Sequence, residues 1–172
     1  CAMGVDIVPI RNHSPDIPPG DDLGVGIEQD FRRIEAVAGR RIERAQQVVA
    51  LLRATLTRSH SSATDSLVVE SVLAASESGV TYRRRYRGRI QVATMLELLL
   101  LDVGNPRSLA YQVAAARADL RALPDSSGTS RPVRKLEEVD ATLRRTRPED
   151  LDVIDDDGAR RELLALLEGL HD

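Results

Sequence analysis

Apolar residues recur every three or four positions through most of this chain, and that spacing restricts it to helices. Ile27, Phe31, Ile34, Ala38, Ile42, Ala45, Val49, Leu52 and Leu56 fall on one face of a helix predicted over about 27–57. The same spacing predicts a helix over about 63–76, with Leu67, Val68, Val72 and Leu73 inward. Three more follow: one carrying Leu109, Val113, Ala116 and Leu120, one carrying Leu136, Val139 and Leu143, and a last one carrying Leu163, Leu167 and Leu170. Residues 81–87 read as a short helix or turn that Gly88 interrupts.

Residues 89–101 are different. Val92, Met95, Leu96, Leu98, Leu99, Leu100 and Leu101 cover nearly the whole circumference of a helix, and a helix apolar all round belongs at the centre of a bundle. Period-two alternation is absent, so no sheet is expected. The expected fold is therefore all-α: an antiparallel helical bundle of about six helices plus one short helix, over 27–172. Before it, 1–26 reads as an irregular arm or linker, because Pro9, Pro15, Pro18 and Pro19 block helix interiors and Gly20, Gly24 and Gly26 loosen the rest. Local punctuation sets the other boundaries. Residues 59–62 make a polar break, Asn105 is an expected N-cap with Pro106 in the first helical position, and Pro132 begins a helix. Pro148 ends that helix, and the acidic run 155–157 favours the start of the last one.

With Phe31, Tyr82, Tyr86 and Tyr111 as the only aromatics, the core must be aliphatic. Cys1 is the sole cysteine, which excludes an intrachain disulfide framework. A formal net charge of -3 argues against nucleic acid as a partner. No apolar run approaches the ~18 residues of a membrane span, and no secretory leader pattern precedes the domain, so a cytoplasmic protein is expected. The positive charge is almost entirely arginine, since Lys135 is the only lysine among 24 basic residues.

Five of those arginines, Arg83, Arg84, Arg85, Arg87 and Arg89, crowd into seven positions between Tyr82 and Arg89. Self-repulsion predicts that some face carboxylates such as Glu97 or Asp102, or helix ends. The remaining readings are an anion or phosphate site and a docking surface for another domain. Arg40, Glu43, Arg44, Glu97, Asp102 and Arg107 are the candidates for a buried ion-pair network, with Glu97 placed among leucines and expected to pair with an arginine. His13, His60 and His171 show no metal-ligand spacing, and no cofactor motif occurs, so neither a metal nor a cofactor is assigned. Ser59, Ser61 and Ser62 flank His60, but sequence adjacency is not a catalytic triad. No catalytic residue is assigned, and this chain alone is not expected to turn over a substrate.

The segments Tyr82-Arg83-Arg84-Arg85-Tyr86-Arg87-Gly88-Arg89, Leu96-Glu97-Leu98-Leu99-Leu100-Leu101-Asp102 and Asn105-Pro106-Arg107-Ser108-Leu109 resemble the bacterial alpha-E domain family, most closely over roughly 28–124. Gly39-Arg40-Arg41-Ile42-Glu43-Arg44-Ala45 looks like that family's Glu-Arg motif. Glu97 departs from the family's more usual Asp. The resemblance implies a helical domain that is a C-terminal part of a larger protein, whose leading helical half carries another copy of the pattern. It also implies an accessory or interaction role beside circularly permuted ATP-grasp and transglutaminase-like proteins, in amide-bond formation or peptide modification. The alternative is a small-anion or nucleotide-binding component of an enzyme that uses the 83–89 arginines.

Overall fold

The computed structural model describes residues 22–123 and 130–170, with side chains from Glu28 onward. Eight α-helices and one π-helical turn account for the regular structure of these residues. They are α1 (Asp22–Leu56), α2 (Ser62–Ala75), α3 (Gly79–Arg85), α4 (Val92–Leu96) continued by the π-turn Glu97–Leu101, α5 (Leu109–Arg121), α6 (Arg131–Arg145), α7 (Pro148–Leu151) and α8 (Arg161–Gly169). No strand occurs among the described residues, and the one isolated β-bridge there joins Arg58 to Ala159. None of these helices is long and apolar enough to cross a membrane.

α1 begins at Asp22, so 22–26 are helical instead of belonging to the arm. No proline follows Pro19 in this stretch, and Gly24 and Gly26 each cost a helix only about 1 kcal/mol. Residues 1–21, which hold the rest of the expected arm and His13, lie outside the described residues, as do 124–129 and His171.

The centre of the domain is the segment that is apolar all round. Met95, Leu96, Leu98, Leu99 and Leu100 have no exposed surface; α2, α5, α6 and α7 pack against this segment, and Leu52 and Leu56 of α1 and Leu163 and Leu167 of α8 belong to the same buried cluster. Each such side chain contributes ~1.5–3 kcal/mol by leaving water. In the π-turn Asp102 N–H reaches back five residues to the Glu97 carbonyl at 3.0 Å, and the buried Asn105 amide donates to the Leu98 carbonyl at 3.0 Å. Asn105 is therefore a brace for the central turn and not the expected N-cap. Ser108 is the N-cap of α5, its hydroxyl accepting from Tyr111 N–H at 3.0 Å. On α2 the inward residues are Val69, Val72 and Leu73, while Leu67 is largely exposed. Pro148 opens the short helix α7, and α6 has already ended at Arg145.

Ion pairs bridge neighbouring helices. Arg41 of α1 meets Asp119 of α5 at 2.6 Å, and the buried Asp140 of α6 accepts from Arg117 of α5 at 2.9 Å and from Arg144 at 3.1 Å. The deepest charge is Arg160, just before α8, with 1% exposure. Its Nε donates to Asp152 at 3.0 Å, its Nη1 to the Leu56 and Arg58 carbonyls at 3.1 and 3.2 Å, and its Nη2 to Asp65 of α2 at 3.0 Å. Burial alone would raise the Asp65 carboxyl, but the His60 backbone N–H, Arg160 and the Ser59 hydroxyl outweigh it and hold Asp65 below the ordinary carboxylate range.

Removing one partner of a buried pair costs ~3–5 kcal/mol, so Arg160→Met should lower unfolding stability by about that amount in a denaturant titration. Because the folded pKa of Asp65 is depressed, its contribution is present above the ordinary carboxylate range and is lost as pH falls through the folded value. Asp65→Asn should therefore flatten the acid side of the stability profile, and an unchanged profile would remove Asp65 from this role.

Candidate functional site

α3 presents the arginine-rich segment. The helix cannot run on, because Tyr86 is extended and Gly88 adopts φ +144°, a conformation that side chains other than glycine's rarely take. The two tyrosines fix this turn to the core. Tyr82 is buried, its hydroxyl 2.6 Å from Thr94 Oγ1 and accepting from Gln91 N–H at 3.1 Å. The Tyr86 ring is tilted against it at a 5.0 Å centroid separation, and the Tyr86 hydroxyl donates to Glu97 Oε2 at 2.9 Å. Packing and pinning account for both rings.

All five arginines, Arg83, Arg84, Arg85, Arg87 and Arg89, are exposed. Arg85 pairs with Asp102, whose Oδ1 also accepts from Gly104 N–H at 2.9 Å, and Arg89 donates to Ser62 Oγ at 3.1 Å. Arg83, Arg84 and Arg87 have no side-chain partner among the described residues.

The six residues expected to form one buried network are dispersed. Arg40, Glu43 and Arg44 are exposed on α1 and carry no ion pair among the described residues, because they lie on the solvent side of the stripe that Ala38 and Ala45 bury. Asp102 joins Arg85, and Arg107 joins Glu77. Glu97 is half-buried and takes its hydrogen bond from Tyr86, not from an arginine, because the phenol reaches it from the end of α3. Arg107 holds the Glu77 carboxyl below the ordinary range by hydrogen bond and charge.

Sequence reasoning missed Arg160, Asp65 and Asp152, which share a polar hollow of about 490 Å³ with Ser59, His60 and Arg89. Asp65 Oδ1 accepts from His60 N–H at 2.9 Å and lies 3.4 Å from its Nδ1. Ser59 Oγ donates to Asp65 Oδ2 at 3.1 Å, so this serine serves the carboxylate and is not presented to the imidazole as a nucleophile. Ser61 caps α2 through Thr64 N–H at 3.3 Å. No group of three metal-ligating side chains occurs among the described residues.

Burial and the hydrogen bond to Glu97 push the Tyr86 hydroxyl up to about 12. A raised folded pKa gives stability that is complete below the ordinary tyrosine value of 10.0 and is lost as pH rises through about 12. Ultraviolet titration should show one tyrosine ionising near 12 that is absent from Tyr86→Phe. Tyr86→Phe should also cost ~1–3 kcal/mol by stripping a half-buried carboxylate of its donor, whereas Glu97→Gln keeps an acceptor and should cost less.

No solved structure matches this chain significantly. The chain is 49% identical over 133 residues to uncharacterized proteins of Mycobacterium bovis and of two strains of Mycobacterium tuberculosis. That match takes in 77% of this chain and 15% of each relative, so the chain spans a small part of these longer proteins. A family model described as a predicted alpha-helical domain with a conserved ER motif matches residues 36–172. A helical bundle with Glu43-Arg44 on its first helix agrees with that description, and the chain belongs to the Alpha-E family.

Proposed function

We propose that this chain is an accessory, protein-interaction domain whose partner is an ATP-grasp-type protein of an amide-bond-forming system. The observation that carries the reading is the state of the arginines at the end of α3 and just after it. Arg83, Arg84 and Arg87 are exposed, without a partner among the described residues and crowded into five positions, whereas Arg41 and Arg117 are spent on interhelical pairs. Arg85 among them and Arg89 after them are already held by Asp102 and Ser62. Val80 of the same helix is 63% exposed, so an apolar side chain sits beside the free guanidinium groups. Unpaired like charges at close spacing repel one another, and an acidic partner surface relieves that repulsion. The choice of an ATP-grasp partner rests on the family resemblance.

A small-anion or nucleotide site is the second reading. Of the five arginines Arg89 borders the hollow around Asp65, while Arg83, Arg84, Arg85 and Arg87 do not, which favours an open contact surface over an enclosing pocket. Calorimetry separates the two. Binding to an ATP-grasp-type protein should weaken about tenfold or more in the triple variant Arg83→Ala, Arg84→Ala, Arg87→Ala, and should weaken as salt rises. Unaltered affinity in that variant would contradict the proposal. Micromolar binding of ATP by the domain alone, lost in the same variant, would replace it with the nucleotide reading.

A further inference from the structure

The Glu-Arg pair by which the family is described occurs at one step of this chain, Glu43-Arg44 on α1. Both side chains are exposed, and neither has a hydrogen bond or ion pair among the described residues. α1 itself offers them little. The positions one turn beyond Glu43 are Gln46 and Gln47, and those one turn before Arg44 are Arg40 and Arg41. Arg40 has Glu43 at i+3, yet it too is exposed and unpaired among the described residues. A charged pair conserved through a family, while it neither packs nor pairs inside the domain, serves a contact outside it. The backbone beside the pair is open. Gly39 is a poorer helix former than alanine, and a Cβ there would meet nothing within 4 Å. Ala36 and Ala50 are exposed as well, so the solvent side of α1 is low enough for a second helix to lie close.

We propose that two copies of the chain associate through this face, with α1 antiparallel to its counterpart across a two-fold axis beside Glu43-Arg44. The charge pattern selects that occupant. A uniformly acidic surface is repelled by Glu43 and a uniformly basic one by Arg40 and Arg44, whereas a second copy brings both signs in reversed order. A two-fold contact sets residue i against j and j against i. Centred between positions 43 and 44, it places Glu43 of each copy opposite Arg44 of the other, so the same pair forms on both sides of the axis. That register also sets Arg40 opposite Gln47, whose carboxamide oxygen accepts from a guanidinium. Arginine–carboxylate pairs at a helix–helix seam are partly shielded from water and are stronger there than on an open surface. The inference stands apart from the α3 surface and does not depend on an ATP-grasp partner.

The test is sedimentation equilibrium of the chain from about 10 µM to about 1 mM, together with charge-swapped variants. The unsubstituted chain should show a reversible monomer–dimer equilibrium that weakens as salt rises. Glu43→Arg sets arginine against arginine across the axis, and Arg44→Glu sets glutamate against glutamate. Each variant alone should therefore dimerise about tenfold more weakly or worse. Both positions are exposed, so circular dichroism should be unchanged. Mixed in equal amounts, the two variants are complementary again, and association should return as a heterodimer. The triple variant Arg83→Ala, Arg84→Ala, Arg87→Ala should dimerise like the unsubstituted chain. A chain that stays monomeric up to about 1 mM would overturn the proposal. So would Glu43→Arg dimerising undiminished, or a mixture that associates no more tightly than either variant alone. Loss of the dimer in the triple variant would move the contact to α3 and overturn its assignment to α1.

Discussion

The guanidinium of Arg160 joins parts of the chain that are far apart in sequence. It bonds to the carbonyls at the end of α1, to Asp65 in the first turn of α2 and to Asp152 after α7. An arginine buried to this depth pays several kcal/mol of desolvation, and it persists only where its donors are fully met. The backbone closes the same seam, with Arg160 N–H on the Thr57 carbonyl at 2.9 Å and Ser59 N–H on the Gly158 carbonyl at 2.8 Å. This seam holds α8 against α1, where Leu163 and Leu167 join the buried cluster. Without it, Leu163 and Leu167, which have no exposed surface, would lose their place in that cluster.

Arginine does several kinds of work in this domain. Arg160 is a buried tie, Arg41 and Arg117 join helices at partly buried positions, and Arg83, Arg84 and Arg87 stand in solvent. The difference follows from where each helix turns. Tyr82 of α3 and Tyr86 just past its end face the core, so Arg83 and Arg84 between them point outward, and Arg87 follows where the chain has left the helix. An exposed guanidinium there costs little folding stability and remains available to a partner surface.

The helices were legible because burial in a bundle imposes three-four spacing, and the central placement of 92–101 followed from its lack of a polar face. Boundaries were less legible. Asn105 and Ser108 both have N-cap chemistry, and what separates them is the π-turn, whose Leu98 carbonyl needs the Asn105 amide. Glu97 illustrates a second limit. Its charge suggested an arginine partner, but the phenol of Tyr86 is nearer once α3 has turned back. Arg160 carried no local signal at all, as one arginine of an Arg160-Arg161 pair in an arginine-rich chain. Only the folded arrangement brings Leu56, Asp65 and Asp152 around it.

Native-state hydrogen exchange tests most directly whether the Arg160 seam is part of the cooperative core. The amides of Ser59 and Arg160, bonded to the Gly158 and Thr57 carbonyls, should exchange only through global unfolding, at the slow rate shared by the central leucines. Exchange of these two amides at the rate of a fraying surface loop, with the central leucines still protected, would show that the seam opens on its own and would contradict the account.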